Sequence, residues 1–143
     1  MITKFAGAAG KPLKIEALLN QTIVAGNRDL AEALAACVEL KSVNPGELLI
    51  EQGAMDNDIY LIFAGAFNVV LNDEIVACRR ANEYVGEIAA LEPSLRRSAN
   101  VVAIEESVVA RLSEANLVSL GNRFSEIYRC IAKELALRLS SSD

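Results

Sequence analysis

The stretch from Gly86 to Asn100, G-E-I-A-A-L-E-P-S-L-R-R-S-A-N, gathers the groups of this sequence best suited to recognising an anion. Gly86 lets the backbone approach a ligand closely, and Ile88, Ala89, Ala90 and Leu91 can form one helical turn whose free N–H groups face a negative charge. Ten residues after Glu87, Arg97 brings a planar guanidinium able to grip two phosphate oxygens at once. The carboxylate of Glu87 can accept a hydrogen bond from a sugar hydroxyl, and Ser98 adds a small hydroxyl donor beside Arg97. One cation and one acceptor at this separation suit a compact, singly charged ribose phosphate. Taken alone, the same two side chains would serve equally well as a structural ion pair on a sheet.

The remaining composition narrows the chemistry. There is no histidine, which removes Ser-His-Asp and Cys-His arrangements and imidazole metal ligands. Glu47, Glu51, Asp56 and Asp58 are scattered over turns and strand edges, so neither a metal site nor a metal-assisted phosphodiesterase is expected, and no catalytic residue is assigned. Lys and Arg number 14 against 19 Asp and Glu, a net charge of -5, so no sequence-wide positive field favours nucleic acid or an anionic membrane. An anionic ligand must therefore be held by a local constellation. Cys37, Cys78 and Cys130 lie far apart with no C-x-x-C spacing and read as reduced thiols of a cytoplasmic protein. No run approaches the ~20 apolar residues of a spanning helix, and the N-terminus lacks the apolar core of an export signal.

The elements that must position Glu87 and Arg97 follow from periodicity. Residues 1–11 are weakly patterned and read as a flexible end, leaving 12–143 as one domain long enough to bury its own core. From Pro12 to Val43 apolar residues recur at spacings of three and four around the breaker Gly26-Asn27, which predicts two helices. After Asn44-Pro45-Gly46 the pattern breaks into short apolar segments: 48–51, 59–63, 67–71, 75–79, 101–104 and 107–112. Asn72-Asp73 suits a two-residue hairpin turn. Ser113-Glu114 opens a helix, and a last helix over about 124–139 carries Phe124, Ile127, Ile131 and Leu135 on one stripe, with Glu134 and Arg138 paired on its outer face. The prediction is a mainly β fold, an antiparallel β-roll or jelly roll, with N-terminal helices and a C-terminal helix pair. Arg79, Arg80 and Arg96 read as solvated.

With the elements in place, residues 86–99 resemble, without a gap, the phosphate-binding cassette of the cyclic nucleotide-binding domain family: Gly86-Glu87, the apolar turn Ile88 to Leu91, then Arg97-Ser98-Ala99. Upstream, Pro45, Gly46, Gly53, Tyr60, Ile62 and Gly65 are similar to that family's turn and strand pattern, so the resemblance covers roughly residues 28–139. It implies that Glu87 holds the ribose 2′-hydroxyl and Arg97 the cyclic phosphate, that the amides of Ile88 and Ala89 with Ser98 complete the anion nest, and that the last helix closes over the base. Ala54, Asn82 and Val85 depart from the family pattern away from the phosphate contacts.

Within that family the chain is similar to the N-terminal sensors of bacterial TIR-domain effectors in Pycsar anti-phage systems. That likeness implies cyclic UMP as ligand, ahead of cyclic CMP and cyclic AMP, and a C-terminal NAD-consuming TIR effector outside these residues. If the strand after Arg97 keeps a period of two, Ser98 and Asn100 share the ligand face, and the Asn100 amide can pair with uracil, though cytosine and adenine are readable too. The alternatives are a cyclic AMP-binding domain of a bacterial transcription factor, and a degenerate roll serving only homo-oligomer formation. No cofactor is expected.

Overall fold

The computed structural model describes residues 1–141. A 3-10 turn, Ile2–Phe5, and helices α1 (Gly7–Leu19) and α2 (Arg28–Ala35) precede strands β1 (Glu39–Val43), β2 (Leu48–Ile50), β3 (Ile59–Ala64), β4 (Ala66–Leu71), β5 (Glu74–Arg80) and β6 (Tyr84–Val85). The short helix α3 (Glu87–Leu91), strands β7 (Asn100–Ala103) and β8 (Ser107–Leu112), and helices α4 (Glu114–Arg123) and α5 (Glu126–Ser141) complete the chain. The strands form two antiparallel four-stranded sheets, ordered β1-β8-β3-β6 and β2-β7-β4-β5. Neighbours in sequence thus repeatedly change sheet, which is the winding of a roll.

Strand β3 shows why the roll has two cores. Ile59, Leu61 and Phe63 join Leu30, Leu34, Leu117, Ile127 and Ile131 in a cluster under the helices. Tyr60 and Ile62, on the opposite face, join Val43, Phe67, Val101 and Val109 between the sheets. A strand covered on both faces needs apolar residues at every position, and β3 has them. The turn at Asn72-Asp73 has φ of 49° and 68°, the left-handed pair that a two-residue hairpin requires. Helix starts are capped as their residue types dictate: the Asn27 side chain accepts from the Leu30 amide at 3.1 Å, and Ser113 from the Asn116 amide at 3.2 Å.

The structure departs from the sequence reading in four places. Helix α1 begins at Gly7, not at Pro12, because Phe5 is buried edge-on against Phe63 with ring centroids 5.2 Å apart and ties the expected flexible end to the core. The helical stretch ends at Ala35, and Glu39–Val43 instead pairs with β8 from Glu39↔Arg111 to Val43↔Ser107. The last helix runs over Glu126–Ser141. Finally, β5 carries a bulge: Val70 pairs with Ile75 but Val69 pairs with Ala77, leaving Val76 extra and turning every later side chain of the strand to the opposite face.

Replacing Phe5 by Ala should therefore cost about 3 kcal/mol, as removal of a buried ring does, and should speed amide exchange along α1. Denaturant unfolding and hydrogen exchange measure both; an unchanged midpoint would contradict the docking of residues 1–5.

Candidate functional site

The chain leaves β6 through Gly86 at φ 90°, a conformation that glycine adopts without penalty, and enters α3 at once. A Cβ at this position would stand 2.7 Å from the Asp58 carbonyl oxygen and 2.9 Å from Arg97 Nη1. Glycine is thus required twice over, for the turn and for the space that Arg97 fills.

Arg97 is held from several directions. Its backbone is clamped by the turn before β3: Arg97 N donates to the Ala54 carbonyl and Gly53 N donates to the Arg97 carbonyl, both at 2.8 Å. Arg97 is only 4% exposed, and a charge so buried needs acceptors around it. Nη1 donates to the Gly86 carbonyl at 3.0 Å, and Nη2 donates to the Asp58 carbonyl at 2.7 Å and to Asp56 Oδ2 at 3.0 Å. The buried Nε–H has no partner among the described residues. Ala54 contributes its backbone, so its departure from the family's residue type leaves the clamp intact.

Glu87 opens α3 and is 6% exposed. Its Oε1 accepts from Arg138 Nη1 at 2.6 Å, while Arg138 Nη2 lies 3.8 Å from Glu134 on the same helix. Helix α5 is thereby joined to the cassette by a charge-assisted hydrogen bond. Beneath them lies Tyr84, whose hydroxyl makes no hydrogen bond of normal geometry among the described residues. Burial first, then the neighbouring Glu134 and Glu87 carboxylates, push this phenol well above its ordinary range, so it remains neutral.

These groups enclose a cavity of about 150 Å³. Gly86, Glu87, Ile88, Ala89, Arg97 and Ser98, all expected at the site, line it, with Ile50, Val69, Val85 and Val101 as its apolar wall. Four arginines, Arg79, Arg96, Arg97 and Arg138, face one glutamate, Glu87. An acidic chain therefore carries one locally cationic hollow, suited to a small anion.

Asn100 is not brought to it. The cavity is faced by Ala99 and Val101, and the Asn100 amide oxygen instead accepts from the Gln52 amide at 2.6 Å. The period-two reading fails because Arg97 to Ala99 are irregular and the strand, with Val101 and Ala103 inward, begins only at Asn100. Arg79 and Arg96, expected to be solvated, both line the cavity, and Arg138 reaches into it rather than pairing with Glu134 alone. The bulge at Val76 that turns Arg79 inward has no marker in the sequence. Arg138 had a weak one, an arginine near the end of a helix expected to pass over the cassette.

The fold and the cavity together define a cyclic nucleotide-binding module. The sequence profile of the cyclic nucleotide-binding domain matches residues 40–124, and the chain belongs to that family. Among curated relatives it is 46% identical over 139 residues to the Pycsar effector protein BcPycTIR of Burkholderia cepacia, covering 97% of this chain and 46% of that one. The Pycsar effector protein PaPycTIR of Pseudomonas aeruginosa is 37% identical over 139 residues, 97% of this chain and 45% of that protein. The chain thus spans about half the length of these relatives. In fold it superposes on the second cyclic nucleotide domain of a protein kinase A regulatory subunit bound to Sp-2Cl-cAMPS, with a TM-score of 0.77 at 19% identity and 94% coverage of both chains. The catabolite activator protein of Thermus thermophilus gives a TM-score of 0.77 at 22% identity, over 86% of this chain and 60% of that one.

Gly86→Ala should lower stability by about 1–3 kcal/mol through the left-handed backbone alone, and should displace Arg97 from its seat. Equilibrium unfolding beside an Arg97-resolved NMR spectrum tests this; a variant matching the parent in both would contradict the role given to the turn.

Proposed function

We propose that this chain is the ligand-sensing module of a Pycsar-type effector, and that the cavity binds a 3′,5′-cyclic nucleotide without altering it. The observation that carries this reading is a buried guanidinium and a buried carboxylate, Arg97 and Glu87, facing one cavity across the first turn of α3. Arg97 is already oriented by the Gly86 and Asp58 carbonyls, so a cyclic phosphate meets a guanidinium whose freedom has been removed beforehand. Asp56 is the most exposed of its partners and the one a phosphate would displace or share, since its side chain keeps 46% of its surface open to water. The amides of Ile88 and Ala89 and the Ser98 hydroxyl complete the anion contacts.

A carboxylate has about four lone-pair sites, and Arg138 engages Glu87 at Oε1. Glu87 can therefore accept a ribose 2′-hydroxyl while α5 stays attached to it. Occupancy of the site acts on the same carboxylate that holds α5, so α5 is the element whose position the ligand biases. Among the described residues the ionisable lining is arginine, one glutamate paired with Arg138 and a phenol kept neutral, which supports binding without hydrolysis.

On the resemblance of the sequence to Pycsar sensors, the proposed ligand is cyclic UMP, ahead of cyclic CMP and cyclic AMP, and the proposed location cytoplasmic; the kinship with Pycsar effectors about twice as long supports an effector domain beyond these residues as the recipient of the signal.

Calorimetry on two variants tests the binding assignment. Arg97→Ala should weaken cyclic UMP binding by about 2–5 kcal/mol, the loss typical when a desolvated charge is left without its partner. Glu87→Ala should cost less, about 1.5–3 kcal/mol for one hydrogen bond to a charged group. Unchanged affinity in Arg97→Ala would overturn the phosphate assignment.

A further inference from the structure

The inner face of the β2-β7-β4-β5 sheet is apolar where it meets the cavity, with Val69 opposite Val101 and Phe67 opposite Ala103. Arg79 breaks this pattern. It stands directly opposite Phe67, on the same face, because the bulge at Val76 reverses the side-chain alternation of β5. There it lines the cavity, half-buried, with Nη1 donating to the neighbouring Cys78 carbonyl at 3.2 Å and no carboxylate within ion-pairing distance among the described residues. A cation set on an apolar sheet face without a counter-ion is unfavourable for folding alone. It is the one cavity arginine within a strand of this sheet, whereas Glu87 and Arg97 lie on the cassette that runs from β6 of the other sheet to the start of β7 in this one.

We propose that Arg79 selects the base of the nucleotide by donating to a carbonyl on its edge, so that uracil is preferred to cytosine. This inference rests on the reading of the cavity as a cyclic nucleotide site. With Glu87 and Arg97 given to ribose and phosphate, Val69, Val101 and Arg79 belong to the lining left for the base. A guanidinium has five N–H donors and no acceptor. It therefore matches O4 of uracil, an acceptor, and meets the N4 amino group of cytosine donor against donor. A site built to hydrogen-bond one polar group rejects the analogue that cannot complete that bond, because the site's own polar group is left unpaired. Asn100, the other candidate for reading the base, is spent on the Gln52 amide and is not in the cavity.

The test is isothermal titration of the 143-residue chain, and of its Arg79→Ala and Arg79→Gln variants, with cyclic UMP and cyclic CMP in one buffer. Thermal unfolding accompanies each variant, and Arg79→Gln retains a polar side chain should Arg79→Ala fold poorly. The parent chain should bind cyclic UMP at least tenfold more tightly than cyclic CMP. In both variants that ratio should fall below threefold, chiefly through lost cyclic UMP affinity, because a glutamine amide offers a donor and an acceptor and suits either base. Equal losses for both nucleotides would place Arg79 on the phosphate or in the scaffold and overturn the inference while leaving the cassette reading intact. So would a parent ratio below threefold. Binding of neither nucleotide by the parent chain would overturn the site itself, and the role of Arg79 with it.

Discussion

Arg97 is a cation almost wholly removed from water, and a buried charge persists only where acceptors surround it. Meeting that demand organises the site. The turn at Gly53-Ala54 fixes the backbone of Arg97, the loop that follows supplies Asp56 and the Asp58 carbonyl, and the β6–α3 junction supplies the Gly86 carbonyl. Two segments distant in sequence, residues 53–58 and the turn at Gly86, thus converge on one side chain. The roll, from the standpoint of the site, brings them together: β3 starts directly after Asp58, and β6, its neighbour in the sheet, ends directly before Gly86. Asp58 is tied in further through its own carboxylate, which accepts from Arg111 on β8 at 3.1 Å.

The second constraint is Glu87, a carboxylate out of water whose ion-pair partner among the described residues is Arg138 of α5. Helix α5 packs by Ile127 and Ile131 on the helical core at one end and reaches the cassette through Arg138 at the other. The first contact is apolar and indifferent to ligand. The second is a hydrogen bond to the group that the ligand is proposed to touch. An element anchored at one end and electrostatically latched at the other is suited to move about its anchor when the latch is altered.

Apart from β1 and the two-residue β6, the strands, their turns and the cassette were legible because their signals are local. Glycines and asparagines at positive φ, a buried strand apolar at every residue, and a Gly-Glu followed ten residues later by arginine all declare themselves within a few positions. What was not legible depended on pairing between distant strands or on tertiary anchoring. The extra residue Val76 reverses the face of Arg79, an irregular Arg97–Ala99 segment delays the alternation that misassigned Asn100, and Phe5 orders an N-terminus whose composition alone reads as loose. β1 was hidden because Val38 to Val43 continue a helical spacing until β8 is there to pair with them. Asp56 shows the same limit: a loop carboxylate acquires its meaning only beside Arg97.

The most direct test of the account is a crystal structure of this chain with cyclic UMP bound. The phosphate should lie within ~3 Å of the Arg97 guanidinium, the distance of a charge-assisted hydrogen bond, with the 2′-hydroxyl donating to Glu87. A nucleotide seated elsewhere, with Arg97 still enclosed by Asp56, Asp58 and Gly86 and making no contact to phosphate, would contradict it.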